Sequence, residues 1–128
     1  SHKFESAFVT LQIPQNNSVM FGSLSGQKIG VWVAHGEGKF RLPQDESAYN
    51  IVAKYNHHEY PANPNGSDYD VAALASNDGR HLAIMPHPER TQFQWQCGYY
   101  PEERRMKDEV TPWHEAFVNA RKWIEERM

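Results

Sequence analysis

Apolar and polar positions follow one another with a strand-like period in several parts of the chain. Over residues 4–13 the odd positions from residue 7 onward are apolar, and Thr10 and Gln12 stand between them. This alternation predicts a β-strand. A continuous apolar run at 29–34 is typical of a buried strand. Two further short apolar segments, 70–75 and 81–85, flank an Asn-Asp-Gly turn and predict a pair of strands joined by that turn.

Helical patterns are fewer. Residues 44–55 predict a helix with Asp45 or Ser47 as its cap. Thr111 followed by Pro112 predicts the start of a final helix, with Thr111 as cap. Its apolar stripe is expected to face the core and comprises Trp113, Phe117, Ala120 and Ile124, with Trp123 beside them. Between these helices lie a turn-rich loop at 60–67 and an irregular polar stretch at 91–110.

Several strands and few helices in 128 residues predict one domain of the α/β or α+β class, or part of one. The chain enters a strand almost at once and shows no first βα unit, so we expect a fragment of a larger domain.

Composition excludes several classes of function. The net charge is −3 and the charges are dispersed. The sequence therefore has no basic patch of the kind that would predict nucleic-acid binding. Mean hydropathy is −0.78 and no apolar run approaches the roughly 20 residues of a membrane span. A single cysteine excludes an internal disulfide and fits a reducing compartment. With no signal-peptide pattern, we expect a cytoplasmic protein.

The most specific chemical signal is a histidine and a carboxylate that follow an apolar run. His87 and Glu89 are each preceded by a proline. Pro88 disfavours the α conformation at His87, and in an extended chain residues two apart project to the same side. Glu89 can therefore orient the His87 ring, which is the base-and-orienter part of a catalytic triad. A surface turn without catalytic function would explain the local sequence equally well.

The nucleophile is not evident. Cys97 is the only thiol, but it lies in a polar stretch with no strand leading into it and no nucleophile-elbow pattern, so we expect it to be incidental. Metal binding is not expected either. The neighbours His57 and His58 face opposite ways in an extended chain, and neither a second cysteine nor an HExxH spacing is present.

Two turns are candidates for binding a substrate. His35 and Gly36 follow a buried strand, where ligand sites of α/β proteins gather, and the glycines around them permit close approach of a ligand. Asn65 and Ser67, in the 60–67 loop, could present amide and hydroxyl groups to a substrate. Purely structural turns would account for both segments.

The stretch 83–90 resembles the His-Pro-Glu signature of the class I glutamine amidotransferases, whose site is a Cys-His-Glu triad. Three further blocks, 1–6, 33–38 and 60–67, narrow the resemblance to the glutaminase domains of the phosphoribosylformylglycinamidine synthases. The tail from Thr111 to Lys122 resembles the end of their large, single-chain type. The blocks occur in the family's order and cover nearly the whole chain.

This resemblance implies a flavodoxin-like, doubly wound α/β domain of which residues 1–128 form the C-terminal portion, without the N-terminal strands and the nucleophile elbow. It implies His87 and Glu89 as catalytic residues and glutamine as the substrate. The family's glutaminase step needs no metal or other cofactor in this segment. The ATP and Mg²⁺ of the whole enzyme belong to upstream synthetase domains, which would be the segment's partners within the same polypeptide.

Two alternatives to this function stay open. One is another triad hydrolase of the same fold, such as a γ-glutamyl hydrolase or a class I peptidase, although the blocks at both ends argue against it. The other is a non-catalytic interaction domain that keeps the motif as an element of the fold.

Overall fold

The computed structural model describes residues 4–36, 38–105 and 108–128. Residues 1–3 of the sequence block at 1–6 and Glu37 of the block at 33–38 lie outside the described residues. The elements are β1 (Glu5–Gln12), β2 (Lys28–His35), β3 (Asn50–Tyr55), β4 (Val71–Ala75), β5 (Leu82–Ile84) and α1 (Trp113–Glu125). Short 3₁₀ turns occupy Gly22–Leu24, Glu46–Ala48, Asp68–Asp70, Pro88–Arg90, Gln94–Gln96 and Glu102–Arg104.

The first two strands form the longest antiparallel pair, with Glu5 opposite His35 and Gln12 opposite Lys28. Both predicted strands are therefore confirmed. Their apolar alternation buries one face, because side chains two apart point to the same side of a sheet. On the other face a Cβ on Gly30 would collide with the Phe8 ring, so the glycine leaves room for that ring to lie across the strand.

The sheet has the order β2-β1-β3-β4-β5, and each of its strand pairs is antiparallel. The chain is thus a mixed α/β domain portion, as predicted. The doubly wound parallel arrangement is not found among the described residues, because loops and a hairpin, rather than crossover helices, join the strands. The predicted β4–β5 pair is confirmed. Its turn places Gly79 at a φ of 77°, in the left-handed region that favours glycine.

The helix predicted over 44–55 is wrong. The structure has only a 3₁₀ turn at Glu46–Ala48, and Asn50–Tyr55 form β3, which pairs with β1 and β4. Ile51 and Val52 are β-branched and favour a strand. β4 pairs along most of this strand and β1 pairs with its last two residues, Lys54 and Tyr55. Val52 and Ala53 are completely buried, and this tertiary burial outweighs the helical pattern.

The final helix is confirmed, but its contacts differ from the prediction. Trp113 and Ala116 are the residues of α1 that are buried, whereas Phe117 is 39% and Ile124 55% exposed, so the predicted stripe is wrong at these two positions. Thr111 does not cap the helix with its side chain: its hydroxyl donates to the carbonyl of Thr91 instead. None of the helices described is long and apolar enough to cross a membrane.

The core lies between the buried face of the sheet, the turn at Gly22–Leu24 and the start of α1. Trp113 packs against Phe21, with ring centroids 5.5 Å apart, and its indole N–H donates to the carbonyl of Gly30 at 2.8 Å. The buried cluster comprises Val9, Leu11, Ile13, Phe21, Leu24, Ile29, Val31, Val33, Val52, Ala53, Tyr55, Ala72, Ala73, Trp113 and Ala116.

Candidate active site

The sheet curls so that the chain after its last strand returns to its first edge. The N–H of Met85 donates to the carbonyl of Ala72 at 3.1 Å and prolongs the β4–β5 pairing. Two residues later, the N–H of His87 donates to the carbonyl of Trp32 in β2 at 2.8 Å, which forms an isolated antiparallel bridge. His87 therefore lies beyond the end of β5, at the junction between the two edges of the sheet.

The backbone of His87 is held on both sides. Pro88 disfavours the α region at His87, and the observed φ and ψ of −116° and 81° lie outside it. The His87 carbonyl accepts the N–H of Arg90 at 3.0 Å and the hydroxyl of Thr91 at 3.1 Å. Thr91 is fully buried, so it anchors the backbone of His87 to the interior of the fold.

Glu89 contacts the His87 ring as the sequence predicts. Its Oε2 lies 2.7 Å from Nδ1 of His87. The local geometry differs from the predicted one, because Pro88–Arg90 form a 3₁₀ turn rather than a continuing extended strand. The side chain of His87 is 28% and that of Glu89 56% exposed, so the pair is open to solvent. With Nδ1 engaged by the carboxylate, Nε2 is the nitrogen that can accept or deliver a proton.

The structure brings two of the predicted substrate-binding residues into contact. Nδ1 of His35, at the end of β2, lies 2.6 Å from Nδ2 of Asn65. The same amide also approaches the carbonyl of Gly38 at 3.4 Å. A Cβ on Gly38 would collide with the methyl group of Met85, so this glycine allows the turn after β2 to pack against the chain that leads to His87.

The environment of His35 favours its neutral form. Burial lowers its pKa below the ordinary value of 6.5, the positive charge of protonated His87 lowers it further, and Glu5 acts in the opposite direction. His87 is thus near enough to influence His35 electrostatically. Within the described residues, Nε2 of His35 is buried and has no hydrogen-bond partner.

Other polar side chains of the 60–67 loop form hydrogen bonds that stabilise the conformation of the loop. Asn63 accepts the N–H of Ser67 at 3.1 Å, and the Ser67 hydroxyl accepts the N–H of Phe40 at 3.1 Å. Both side chains are buried, and their bonds close the loop on itself and join it to the backbone of Phe40. A Cβ on Gly36 would lie 3.8 Å from Cα of Phe4, at the distance of an ordinary van der Waals contact. The substrate-binding roles of His35, Gly36, Asn65 and Ser67 stay predictions.

Cys97 lies away from the histidine–glutamate pair. Its thiol points to the carbonyl of Phe93 at 3.6 Å, and burial raises its pKa. It lines a cavity of about 370 Å³ on the outer face of β1 and β2, to which residues such as Phe8 and Gly30 contribute but His87 does not. Burial therefore disfavours the thiolate, which is the nucleophilic form of a cysteine.

His57 and His58, the neighbouring histidines considered as metal ligands, each have a nearby partner. Nδ1 of His58 lies 2.7 Å from Asp70, and His57 contacts the amide of Asn56. No cluster of three or more potential metal ligands occurs within residues 4–36, 38–105 and 108–128. That the segment needs no metal or other cofactor stays a prediction.

Trp32, Thr91 and Thr111 hold the His87 segment, and sequence analysis did not single out any of them as part of a site. Their hydrogen bonds join β2, the turn after β5 and the start of α1. Such contacts depend on strand register and on the curl of the sheet, for which the local sequence carries no signal.

Comparison with known proteins identifies the family. Residues 1–124 match the model of the CobB/CobQ-like glutamine amidotransferase domain. The chain is 39% identical to the phosphoribosylformylglycinamidine synthase of Drosophila melanogaster over 137 residues, with 96% of this chain and 10% of the relative covered. It is 38% identical to a probable phosphoribosylformylglycinamidine synthase, chloroplastic/mitochondrial, of Arabidopsis thaliana, with 98% and 10% covered.

Among solved structures, the chain is similar to one in the structure of PurLQS from Thermotoga maritima. The TM-score is 0.66 at 25% sequence identity, and the match covers 96% of this chain and 49% of that one. The chain thus spans about a tenth of the length of the curated relatives it matches and about half of the similar solved chain. On the strength of the family match, which extends over residues 1–124, the chain belongs to the CobB/CobQ-like glutamine amidotransferase domains.

Proposed function

We propose that residues 1–128 are the C-terminal portion of a single glutamine amidotransferase domain and carry the histidine and glutamate of its Cys-His-Glu triad. The 2.7 Å contact between Nδ1 of His87 and Oε2 of Glu89 is the observation that carries this proposal. It orients a partly exposed imidazole with Nε2 available for proton transfer. Family membership and the similarity to synthases of known type support it independently.

The nucleophile comes from another part of the same domain in this proposal. Cys97 is the only cysteine of the 128 residues, and its raised pKa and its position in a cavity that His87 does not line support a nucleophile elsewhere. The missing portion would contribute the parallel strands of a doubly wound sheet and the nucleophile elbow. The antiparallel sheet described above would then be the part of the domain that supplies the base.

The chemistry proceeds in two halves. A cysteine thiolate attacks the side-chain carboxamide carbon of glutamine, the C–N bond breaks, and His87 delivers a proton to the departing ammonia, which leaves a thioester. Water then attacks the thioester while His87 accepts its proton. The C–S bond breaks, which regenerates the thiolate and releases glutamate. Glu89 stabilises the imidazolium form of His87, which gives up its proton in the first half and forms again in the second.

His35, Gly36, Asn65 and Ser67 form or support the glutamine-binding side of the site in this proposal. Nε2 of His35 is buried and has no partner among residues 4–36, 38–105 and 108–128, so its N–H could donate to a carbonyl or carboxylate oxygen of a bound substrate. Asn65 holds the ring in place from the other nitrogen.

The ammonia would serve the ATP-dependent conversion of formylglycinamide ribonucleotide to its amidine in purine biosynthesis. That step, with its ATP and Mg²⁺, belongs to synthetase domains outside these residues. The similarity to the phosphoribosylformylglycinamidine synthases supports this assignment, and the segment would contact those domains as parts of one polypeptide. Its location in the cytoplasm is part of the same proposal.

The test is the substitution His87→Ala in the full-length enzyme that carries this segment. General acid–base catalysis contributes about 10²- to 10⁴-fold, so we expect a loss of that order in glutamine-dependent synthesis. Synthesis from added ammonia should be largely kept, because free ammonia bypasses the glutaminase step. The exposed His81, in the β4–β5 hairpin, provides the matched control His81→Ala.

An equal loss of ammonia-dependent activity would make His87 a folding residue. Unchanged glutamine-dependent activity would favour a non-catalytic interaction domain.

A further inference from the structure

Trp32 contacts the segment that carries His87 and Glu89 at both of its ends. The main-chain carbonyl of Trp32 accepts the N–H of His87 at 2.8 Å. Its indole N–H donates to the carbonyl of Gln96 at 2.5 Å. One residue of β2 therefore fixes the two ends of the segment 87–96, the first through its backbone and the second through its side chain.

We propose that Trp32 is a positioning residue for glutamine hydrolysis, which holds the 87–96 segment so that the His87–Glu89 pair keeps its geometry. This inference rests on the function proposed above. Trp32 touches neither substrate nor reacting atoms in this proposal and acts only through His87.

The segment needs such support because it has little regular structure of its own. It consists of two short 3₁₀ turns, Pro88–Arg90 and Gln94–Gln96. Its aromatic side chains face solvent, with Phe93 42% and Trp95 80% exposed, so they contribute little buried apolar surface. The buried Thr91 anchors the middle of the segment, and the Trp32 indole anchors its far end.

The orientation of the indole is itself restricted. The ring of Phe8 in β1 packs edge-on against it, with centroids 5.1 Å and planes 67° apart. The indole N–H is thereby directed at Gln96. A substitution that keeps the aromatic ring but removes the N–H should release the far end of the segment while leaving β2 intact.

Trp113 provides a matched control from the same structure. Its indole N–H also donates to a main-chain carbonyl, that of Gly30, at 2.8 Å. Gly30 lies in β2, the strand that contains Trp32. Trp113→Phe and Trp32→Phe thus delete the same kind of hydrogen bond, but only Trp32→Phe deletes one that ends on the 87–96 segment.

The experiment compares Trp32→Phe, Trp113→Phe and His87→Ala in the full-length enzyme, with glutamine and with ammonia as nitrogen donor. For Trp32→Phe we expect kcat with glutamine to fall on the order of tenfold, because small displacements of a catalytic group are costly. KM for glutamine and the ammonia-dependent rate should change little. Trp113→Phe should lower Tm but leave the ratio of the glutamine- to the ammonia-dependent rate as in the parent.

Amide hydrogen exchange of the same enzymes measures whether the far end of the 87–96 segment is still held in place. Exchange at residues 94–97 should be faster in Trp32→Phe than in Trp113→Phe. The role of Trp32 would be overturned if the ratio of the glutamine- to the ammonia-dependent rate were the same in the two tryptophan variants. If His87→Ala still lost only the glutamine-dependent rate, the proposed function would stay in place. A His87→Ala enzyme that did not lose its glutamine-dependent rate selectively would overturn both the role of Trp32 and the proposed function.

If Trp32→Phe does not fold, Phe8→Leu loosens the indole without removing it. The same selective loss of the glutamine-dependent rate, smaller in size, is then expected, and an unchanged ratio overturns the proposal.

Discussion

Nδ1 of His35 accepts a hydrogen bond from the side-chain amide of Asn65 over 2.6 Å, which joins the end of β2 to the loop before β4. The ring proton must then reside on Nε2, the buried nitrogen for which the described residues provide no acceptor. A buried N–H without a partner costs about 1–3 kcal/mol. A ligand oxygen that accepted this bond would recover that free energy on binding.

Asn65→Ala should weaken glutamine binding in the full-length enzyme. The substitution removes the donor that orients His35, so we expect KM for glutamine to rise several-fold and the free energy of unfolding to fall by about 1–2 kcal/mol. Asn63→Ala is the control, because Asn63 bonds to the backbone of Ser67 and not to His35. Steady-state kinetics and denaturant unfolding of both variants decide the matter. Equal KM values for the two variants would contradict a role for Asn65 at the substrate.

His35 should make the stability of the chain depend on pH in the acidic range. Its pKa is lowered in the folded state, so below the ordinary value of 6.5 the unfolded chain binds a proton more readily than the folded one. This contribution to stability is complete above pH 6.5 and is lost as the pH falls toward the lowered value. Tm measured between about pH 7.5 and pH 5 should therefore fall less steeply in His35→Gln than in the parent. Identical slopes would show that His35 is not responsible.

Glu89→Gln should impair glutamine hydrolysis less than His87→Ala does. The amide oxygen can still accept the Nδ1–H bond, but the charge that stabilises the imidazolium is lost. We expect kcat with glutamine to fall on the order of 10²-fold, with the ammonia-dependent rate retained. Glu109→Gln, at an exposed position outside the 87–96 segment, provides the control for loss of a surface charge. A Glu89→Gln enzyme with full activity would mean that the 2.7 Å contact has no catalytic importance.

The isolated 128-residue chain should release no ammonia from glutamine above background. Its only thiol points to the carbonyl of Phe93 and has a raised pKa, so little thiolate forms near neutral pH. Cys97→Ser should behave like the parent chain in a coupled assay for ammonia. Turnover that disappears in Cys97→Ser would refute the proposal that the nucleophile lies outside these residues.

Local sequence determined much of this chain because the responsible interactions are short-range. Alternating apolar positions specify β1, the Asn-Asp-Gly turn specifies the hairpin before β5, and Thr-Pro-Trp marks the region where α1 begins. Likewise, the two-residue spacing of His87 and Glu89 and the restriction that Pro88 imposes predicted their contact, although the side chains meet across a 3₁₀ turn rather than along the predicted extended chain. Each of these features depends on neighbouring residues and on a conformational preference that survives in any fold.

The tertiary structure decided the features that depend on distant partners. Residues 50–55 became a strand because β4 pairs along 50–54 and β1 pairs at 54–55, against a pattern that also fits a helix. Phe117 stayed exposed because α1 contacts the core chiefly through Trp113 and Ala116. His87 meets Trp32 only because the sheet curls until its two edges are joined by that bridge. Strand order and curl arise from how several strands bury their apolar faces together, which no local pattern encodes.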